Sequence, residues 1–209
     1  MYTPPAFAMD QDAALALVEA RRFATLVSPS RRGDGGSGLQ ATALPLLLDR
    51  TETGWRLLGH IARANPHWRD FDPAASSLAI FDGGDAYVSP SWYPAKALHH
   101  KVVPTWNYRQ VHIHGRLSVT EDPALLMDII TGLTTREEAG LPSPWAVTDA
   151  PADFIAAQLR GIVGLVLTVE RVEGKAKLSQ NRPPADRASV AKALAGRLDI
   201  PVPDQGDGD

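Results

Sequence analysis

Short β-prone runs crowd the middle of this 209-residue chain, and helix-forming stretches lie mainly at its margins. The β-prone runs are apolar and β-branched, and glycine, proline and acidic residues separate them. They occupy residues 23–28, 41–48, 55–60, 78–81, 86–89, 111–119 and 162–172. Helical spacing marks residues 13–22, 65–71, 123–138, 152–159 and 185–198. This pattern predicts an α+β fold in which peripheral helices cover a closed antiparallel β-barrel.

The composition is that of one soluble domain. Apolar residues make up 44% of the chain and charged residues 22%, which is ordinary for a globular core of this size. We expect one domain over residues 1–200 and a disordered acidic tail over 201–209. No basic-then-apolar leader and no run of about 18 apolar residues is present. The expected location is therefore the cytoplasm, without a membrane span.

Charge and cysteine content exclude several classes of function. The chain has no cysteine, which rules out disulfides, thiolate zinc sites and cysteine nucleophiles. Its formal net charge of -3 argues against a broad basic surface for nucleic acid. The compact basic pairs are 21–22 and 31–32, so any DNA association is expected to be weak or indirect.

A basic and polar cluster closes the last β-prone run. Lys177 is followed by Ser179, Gln180 and Asn181. Because alternate residues of a strand share a face, Lys177, Ser179 and Asn181 could converge on one anion. Gln180 would then face elsewhere or cap a turn. The alternative is a solvated loop after an edge strand.

A second anion-binding strand end is predicted at residues 59–66. Here His60, Ala62, Arg63 and Asn65 precede Pro66, which favours a helix start with free backbone N–H groups. The guanidinium of Arg63 suits phosphate oxygens. His60 ends the strand that delivers Arg63 and could donate to the same ligand. The alternative is a surface arginine beside an ordinary helix cap.

An aromatic segment lies between these two strand ends in the sequence. The indole of Trp106 and the phenol of Tyr108 could flank a ring system, and the amide of Asn107 could bond its polar edge. The alternative is packing in the core or at a dimer interface. Two anion sites and a ring site together indicate a flavin nucleotide. FMN is favoured over FAD, because the glycines of residues 33–38 lie between strands and do not open a helix.

Neither a metal site nor a catalytic residue is assigned. His112 and His114 share one face of a predicted strand, but no third ligand follows at a recognisable spacing. His99 and His100 are expected to be loop residues. No serine lies in a glycine-flanked nucleophile elbow.

Several motifs in a fixed order resemble one known family. They lie at residues 59–66, 91–93, 104–108 and 177–182, and the opening Met1-Tyr2-Thr3-Pro4 fits as well. In these residues the chain resembles the PaiB family, described as FMN-binding negative transcriptional regulators. The resemblance implies the split-barrel fold shared with flavin reductases and pyridoxamine-phosphate oxidases. It also implies a homodimer with FMN at the subunit interface.

Three functions from different classes remain open at this point. The first is an FMN-binding negative regulator of the PaiB type, and the second is an FMN-dependent oxidoreductase acting on a small molecule. A split barrel without flavin that serves as a binding or structural module is a third. No helix-turn-helix supports direct DNA reading. Four aromatic residues of interface type predict the homodimer: Trp92, Tyr93, Trp106 and Tyr108.

Overall fold

The computed structural model describes residues 1–31 and 38–195. Most of the predicted glycine-rich loop lies outside the described residues. So do the predicted acidic tail and residues 196–198 of the predicted last helix.

Eight strands and six helices follow one another along the described chain. The strands are β1 (Ala8–Met9), β2 (Phe23–Pro29), β3 (Leu39–Pro45), β4 (Leu47–Thr51), β5 (Gly54–Ala62), β6 (Ser77–Val88), β7 (Thr105–Thr120) and β8 (Ile162–Lys177). The helices are α1 (Gln11–Ala20), α2 (His67–Asp70), α3 (Ala95–His99), α4 (Pro123–Glu138), α5 (Ala152–Arg160) and α6 (Pro184–Leu194). The sheet order is β3-β2-β6-β7-β8-β5-β4, and β1 pairs with β8. The predicted α+β class with an antiparallel sheet and peripheral helices is confirmed.

The chain divides into two compact units. The first unit comprises Met1–Leu17, Asp82–Val111 and the described residues from Glu173 onward. The second unit comprises Val18–Phe81 and His112–Val172.

Helix α4 organises the core of the second unit. Asp122 caps its first turn by accepting a hydrogen bond from the Ala124 N–H. Its buried residues Leu126, Ile129 and Leu133 recur at the three- and four-residue spacing of one helix face. Ile129 and Leu133 pack with residues of β4 and β5, whereas Leu126 packs with residues of α5. The prediction that helices cover the sheet is confirmed for this unit, because α4 packs on β4 and β5.

The first unit has its own apolar core. Val88 at the end of β6 and Tyr93 pack against Val190 and Leu194 of α6. Tyr93 is only 2% exposed, so its predicted role as an anchor of a subunit interface is wrong. A buried carboxylate ties the elements together, because Asp186 of α6 accepts a hydrogen bond from the Ala95 N–H at 3.1 Å.

The strand predictions were correct in position but often wrong in extent. The predicted strand 41–48 is interrupted at Leu46, whose N–H leaves the ladder to bond the Arg22 carbonyl at 2.8 Å. The two predicted strands 78–81 and 86–89 form the single strand β6, because Gly84 takes a positive φ of 89° within it. β7 starts at Thr105, earlier than predicted, and so includes the aromatic segment.

One close backbone approach lies within the second unit. A Cβ atom on Gly115 of β7 would lie 2.1 Å from the carbonyl oxygen of Thr168 in β8. No side chain fits at this position without backbone movement.

Candidate functional site

Arg63 follows the end of β5 in the second unit, and its guanidinium is already engaged by the protein. Nε donates to the Arg160 carbonyl at 2.8 Å and Nη2 to the Ile162 carbonyl at 3.2 Å. Nη1 donates to the Glu121 carboxylate at 2.7 Å. Glu121 thus neutralises the charge of Arg63. The guanidinium is also held against the backbone carbonyls of Arg160 and Ile162. Phosphate binding by Arg63, which stays a prediction, would compete with these partners.

The turn after Arg63 is stabilised by Asn65. Its carboxamide oxygen accepts a hydrogen bond from the His67 N–H at 3.0 Å, and its amide donates to the Thr42 hydroxyl at 3.3 Å. Helix α2 has only four residues, so its aligned dipoles are few. The predicted helix N-terminus therefore offers little to a phosphate, because one of its free N–H groups is bonded to Asn65.

Two histidines of the second unit carry buried ring nitrogens. His67 is 1% exposed, and its Nδ1 lies 2.8 Å from the Thr42 hydroxyl. Nε2 of His67 and Nδ1 of His60 have no hydrogen-bond partner among the described residues. Burial lowers the pKa of both rings, which keeps them neutral near pH 7. Ala62, the last residue of β5, is exposed.

The first unit holds the other predicted residues, and here a lysine lacks an acidic partner. Lys177 is the last residue of β8, and its ammonium donates to the hydroxyl of Thr105 at the start of β7. Within the described residues no carboxylate lies at ion-pair distance from it. Its positive charge is therefore not neutralised by any residue that the structure describes.

The turn after Lys177 is built by side chains. Ser179 takes a left-handed φ of 66°, and its hydroxyl donates to the buried Asn107 carboxamide oxygen at 2.9 Å. Gln180 accepts from the Leu178 N–H at 2.6 Å and donates to the Ala176 carbonyl. Asn181 is exposed. The predicted alternation of Lys177, Ser179 and Asn181 on one strand face is wrong, because the strand ends at Lys177. Gln180 caps the turn, as one of the two predicted alternatives stated.

Two aromatic side chains of the first unit are open to solvent. Trp106 is 53% exposed and meets Tyr87 edge to face, with ring centroids 5.8 Å apart. Trp106 and the half-buried Tyr108 also line a depression of about 420 Å³ with Asp82 and Asp85. An exposed tryptophan beside an open depression can stack on a ring or on a partner protein.

Sequence reasoning omitted Lys175 from the site. This lysine is 8% exposed, donates to the Tyr2 carbonyl at 2.9 Å and lies 5.2 Å from the centroid of the Tyr108 ring. The available signal was the spacing of Lys175 and Lys177, which lie two residues apart near the end of an apolar run. His67 was also missed, since nothing in the sequence shows that it is buried.

The remaining histidines differ from one another. His99 ends α3, so the prediction that it is a loop residue is wrong, whereas His100 follows the helix with a φ of 56°. His112 and His114 lie on one face of β7, with ring centroids 6.4 Å apart.

The model of a family described as "Putative FMN-binding domain" matches residues 1–171. The protease synthase and sporulation protein PAI 2 of Bacillus subtilis (strain 168) is 34% identical over 154 residues, which cover 74% of this chain and 72% of that protein.

Two solved structures share the fold. The conserved hypothetical protein Rv2991 of Mycobacterium tuberculosis has a TM-score of 0.59 at 12% identity, covering 88% of this chain and 94% of that one. The flavocytochrome Anf3 of Azotobacter vinelandii has a TM-score of 0.54 at 16% identity, covering 81% and 69%.

Among the described residues, no helix is both long enough and apolar enough to span a bilayer. The fold is the predicted split β-barrel of flavin-binding proteins, and the cofactor is FMN. The family model covers most of the chain, and the Bacillus subtilis relative matches about three quarters of it, so this chain belongs to the PaiB family of FMN-binding proteins.

Proposed function

We propose that this protein is a cytoplasmic FMN-binding negative transcriptional regulator of the PaiB type, acting as a homodimer with flavin at the subunit interface. The name of the Bacillus subtilis relative refers to protease synthesis and sporulation. The observation that carries the cofactor part of the proposal is the Lys177 ammonium, which bonds a neutral hydroxyl and has no acidic partner among the described residues.

Lys177 suits the phosphate of FMN better than Arg63 does. Within the described residues the Lys177 ammonium bonds the neutral Thr105 hydroxyl, so it can bind a phosphate without giving up an ion pair. Arg63 would have to leave Glu121 and two backbone carbonyls. Ser179 and Asn107 support the turn next to Lys177 through their buried hydrogen bond, which orders the end of the strand.

The aromatic pair of Tyr87 and Trp106 is proposed as part of the dimer interface. Aromatic residues anchor interfaces because they bury a large area with few rotatable bonds. Both side chains are about half exposed, and they contact each other. In this proposal the partner subunit covers them, and the flavin ring lies against the same surface.

A titration tests the cofactor site first. FMN should bind the apoprotein more tightly than riboflavin does, because riboflavin lacks the phosphate. Isothermal calorimetry that gives equal affinities for the two would refute a phosphate clamp.

Sedimentation velocity tests the interface. The protein should sediment as a dimer at micromolar concentration, and Trp106→Ser should raise the dimer dissociation constant at least tenfold. Phe154→Ser is the matched control, because Phe154 on α5 is also 53% exposed and lies in the second unit. An equal effect of both substitutions would overturn the proposed surface.

Direct DNA binding is expected to be weak and salt-sensitive. Arg22, one of the predicted basic residues, pairs with Glu137 at 2.6 Å, which removes much of its attraction for phosphate. Arg32 lies outside the described residues. We therefore propose that regulation acts mainly through a partner and not through an operator contact. Operator binding in the nanomolar range that survives reversal of these charges would contradict this.

The oxidoreductase remains the second candidate, and the open depression beside Trp106 favours it. FMN supplies redox chemistry when it is bound. The two functions predict different results when the gene is deleted. A regulator predicts a set of transcripts that rise on deletion and fall again with the wild-type gene but not with a Lys177→Met gene. Unchanged transcripts together with rapid NAD(P)H-dependent flavin reduction would favour the enzyme.

A further inference from the structure

A cavity of about 450 Å³ opens in the first unit, apart from the residues proposed to hold flavin. The single-turn helix Pro90–Trp92, α3 and α6 form it. One of its lining residues, Tyr93, belongs to the apolar core of this unit and packs with Val190. The cavity is open to solvent, like the depression beside Trp106.

The lining combines one cation with hydroxyls and aromatic rings. Lys96 and His100 lie on the α3 side, Ser91 and Ser189 supply hydroxyls, and Trp92 and Tyr93 supply aromatic surface. This donor set matches a ligand that has an anionic head and a flat apolar body.

The charge of Lys96 is available to a ligand. Its ammonium donates to the Ser91 hydroxyl at 3.2 Å, and no carboxylate lies at ion-pair distance within the described part of the chain. Residues 86–120 contain neither aspartate nor glutamate. The buried Asp186 is held by the Ala95 N–H. Asp186 is thus the described acid closest to the start of α3, and it is not paired with Lys96.

Tyr93 lines the cavity but is only 2% exposed, and its buried hydroxyl has no hydrogen-bond partner among the described residues. The Arg182 guanidinium, 4.9 Å from the centroid of the Tyr93 ring, adds positive charge on this side of the unit.

We propose that this cavity binds a small aromatic carboxylate. The carboxylate accepts hydrogen bonds from the Lys96 ammonium and from the serine hydroxyls beside it, and the ring lies against Trp92. The proposal shares no residue with the flavin site, so the failure of either leaves the other standing.

Calorimetry on the FMN-loaded protein tests the ligand class. The probe is phenylacetate, and phenethylamine is the control with the same ring and the opposite charge. Phenylacetate should bind with a dissociation constant below 1 mM, on the order expected for so small a ligand, and phenethylamine should bind at least tenfold more weakly. Absent phenylacetate binding, or equal binding of the two probes, overturns the proposal.

Matched variants test the residues. Lys96→Met should weaken phenylacetate binding at least tenfold. Lys101→Met is the control, because Lys101 is an exposed lysine on the same segment that does not line the cavity. Tyr93→Phe keeps the buried ring and removes a hydroxyl that a ligand cannot reach, so it should leave phenylacetate binding and FMN absorbance unchanged. Equal effects of the two lysine substitutions would overturn the assignment.

Discussion

Two strand ends of this protein have the same kind of sequence and differ in their electrostatics. The end of β5 presents Arg63, and the end of β8 presents Lys177. Arg63 is neutralised by Glu121 and held by two backbone carbonyls, whereas Lys177 bonds the Thr105 hydroxyl and has no acidic partner among the described residues. A basic residue after a strand is therefore not by itself an anion site. What matters is whether the fold supplies an acid to the same side chain.

The chemistry of the two side chains explains why they behave differently. A guanidinium has five N–H donors in a planar fork and can bond backbone carbonyls and a carboxylate at once. A lysine ammonium is compact and flexible, and it has three donors. Arg63 therefore serves well as a structural clamp, while Lys177 keeps donors for a ligand.

Replacing Lys177 should give the largest change in FMN binding. Lys177→Met keeps most of the aliphatic stem and removes the charge, and we expect a loss of about 1.5–3 kcal/mol in FMN affinity. Fluorescence titration of the apoprotein measures it. Lys192→Met on α6 is the control, because Lys192 is exposed. Unchanged FMN affinity would show that other residues bind the phosphate. The difference between Lys177 and Arg63 would then not explain FMN binding.

Replacing Arg63 should change stability more than FMN binding. Arg63→Met leaves two backbone carbonyls and Glu121 without their donor, and we expect the free energy of unfolding to fall by about 1 kcal/mol. The ion pair itself adds little because both side chains are more than a third exposed. Urea unfolding measures stability, and FMN titration should show less than a threefold change. A tenfold loss of FMN affinity would restore Arg63 as the phosphate ligand.

The smallest expected effect is a decrease in the free energy of unfolding as the pH falls, caused by two histidines of the second unit. Burial lowers the pKa of His60 and His67 in the folded protein, so the folded state binds fewer protons than the unfolded chain. Their contribution is present above the unfolded pKa of about 6.5 and is lost as the pH falls through the folded pKa. Urea unfolding between pH 7.5 and 5 should show this decline.

A variant separates the histidine contribution from general acid denaturation. His67→Gln should flatten the decline of stability, because glutamine does not titrate. His99→Gln, at an exposed position on α3, should leave the decline as it is. A decline that is equally steep in both variants would rule out His67 as its source.

The positions of the secondary-structure elements could be predicted from the sequence because hydrophobic periodicity is local. Helix α4 begins and ends at the predicted residues, since Asp122 and Pro123 are a recognisable cap and first turn. β6 could not be predicted as one strand, because Asp82-Gly83-Gly84-Asp85 has the composition of a turn. The segment nevertheless belongs to β6, and Gly84 within it has a positive φ of 89°.

The candidate site was predictable in composition but not in detail. The sequence placed Lys177 next to a polar turn, but only the structure shows that Ser179 turns into a left-handed conformation to reach Asn107. Residues Glu121 and Arg63 are far apart in sequence, so their pairing depends on the strand register. Partners of this kind are set by tertiary packing and leave no local pattern.

The close approach at Gly115 has a consequence for how the second unit finds its strand alignment. If β7 slipped by one residue along β8, His114 or Arg116 would occupy the place of Gly115, where even a Cβ would lie 2.1 Å from the Thr168 carbonyl oxygen. Misaligned pairings are thus excluded by volume, in addition to the burial of alternate faces. The absence of a side chain at Gly115 therefore helps to fix the register of β7 against β8.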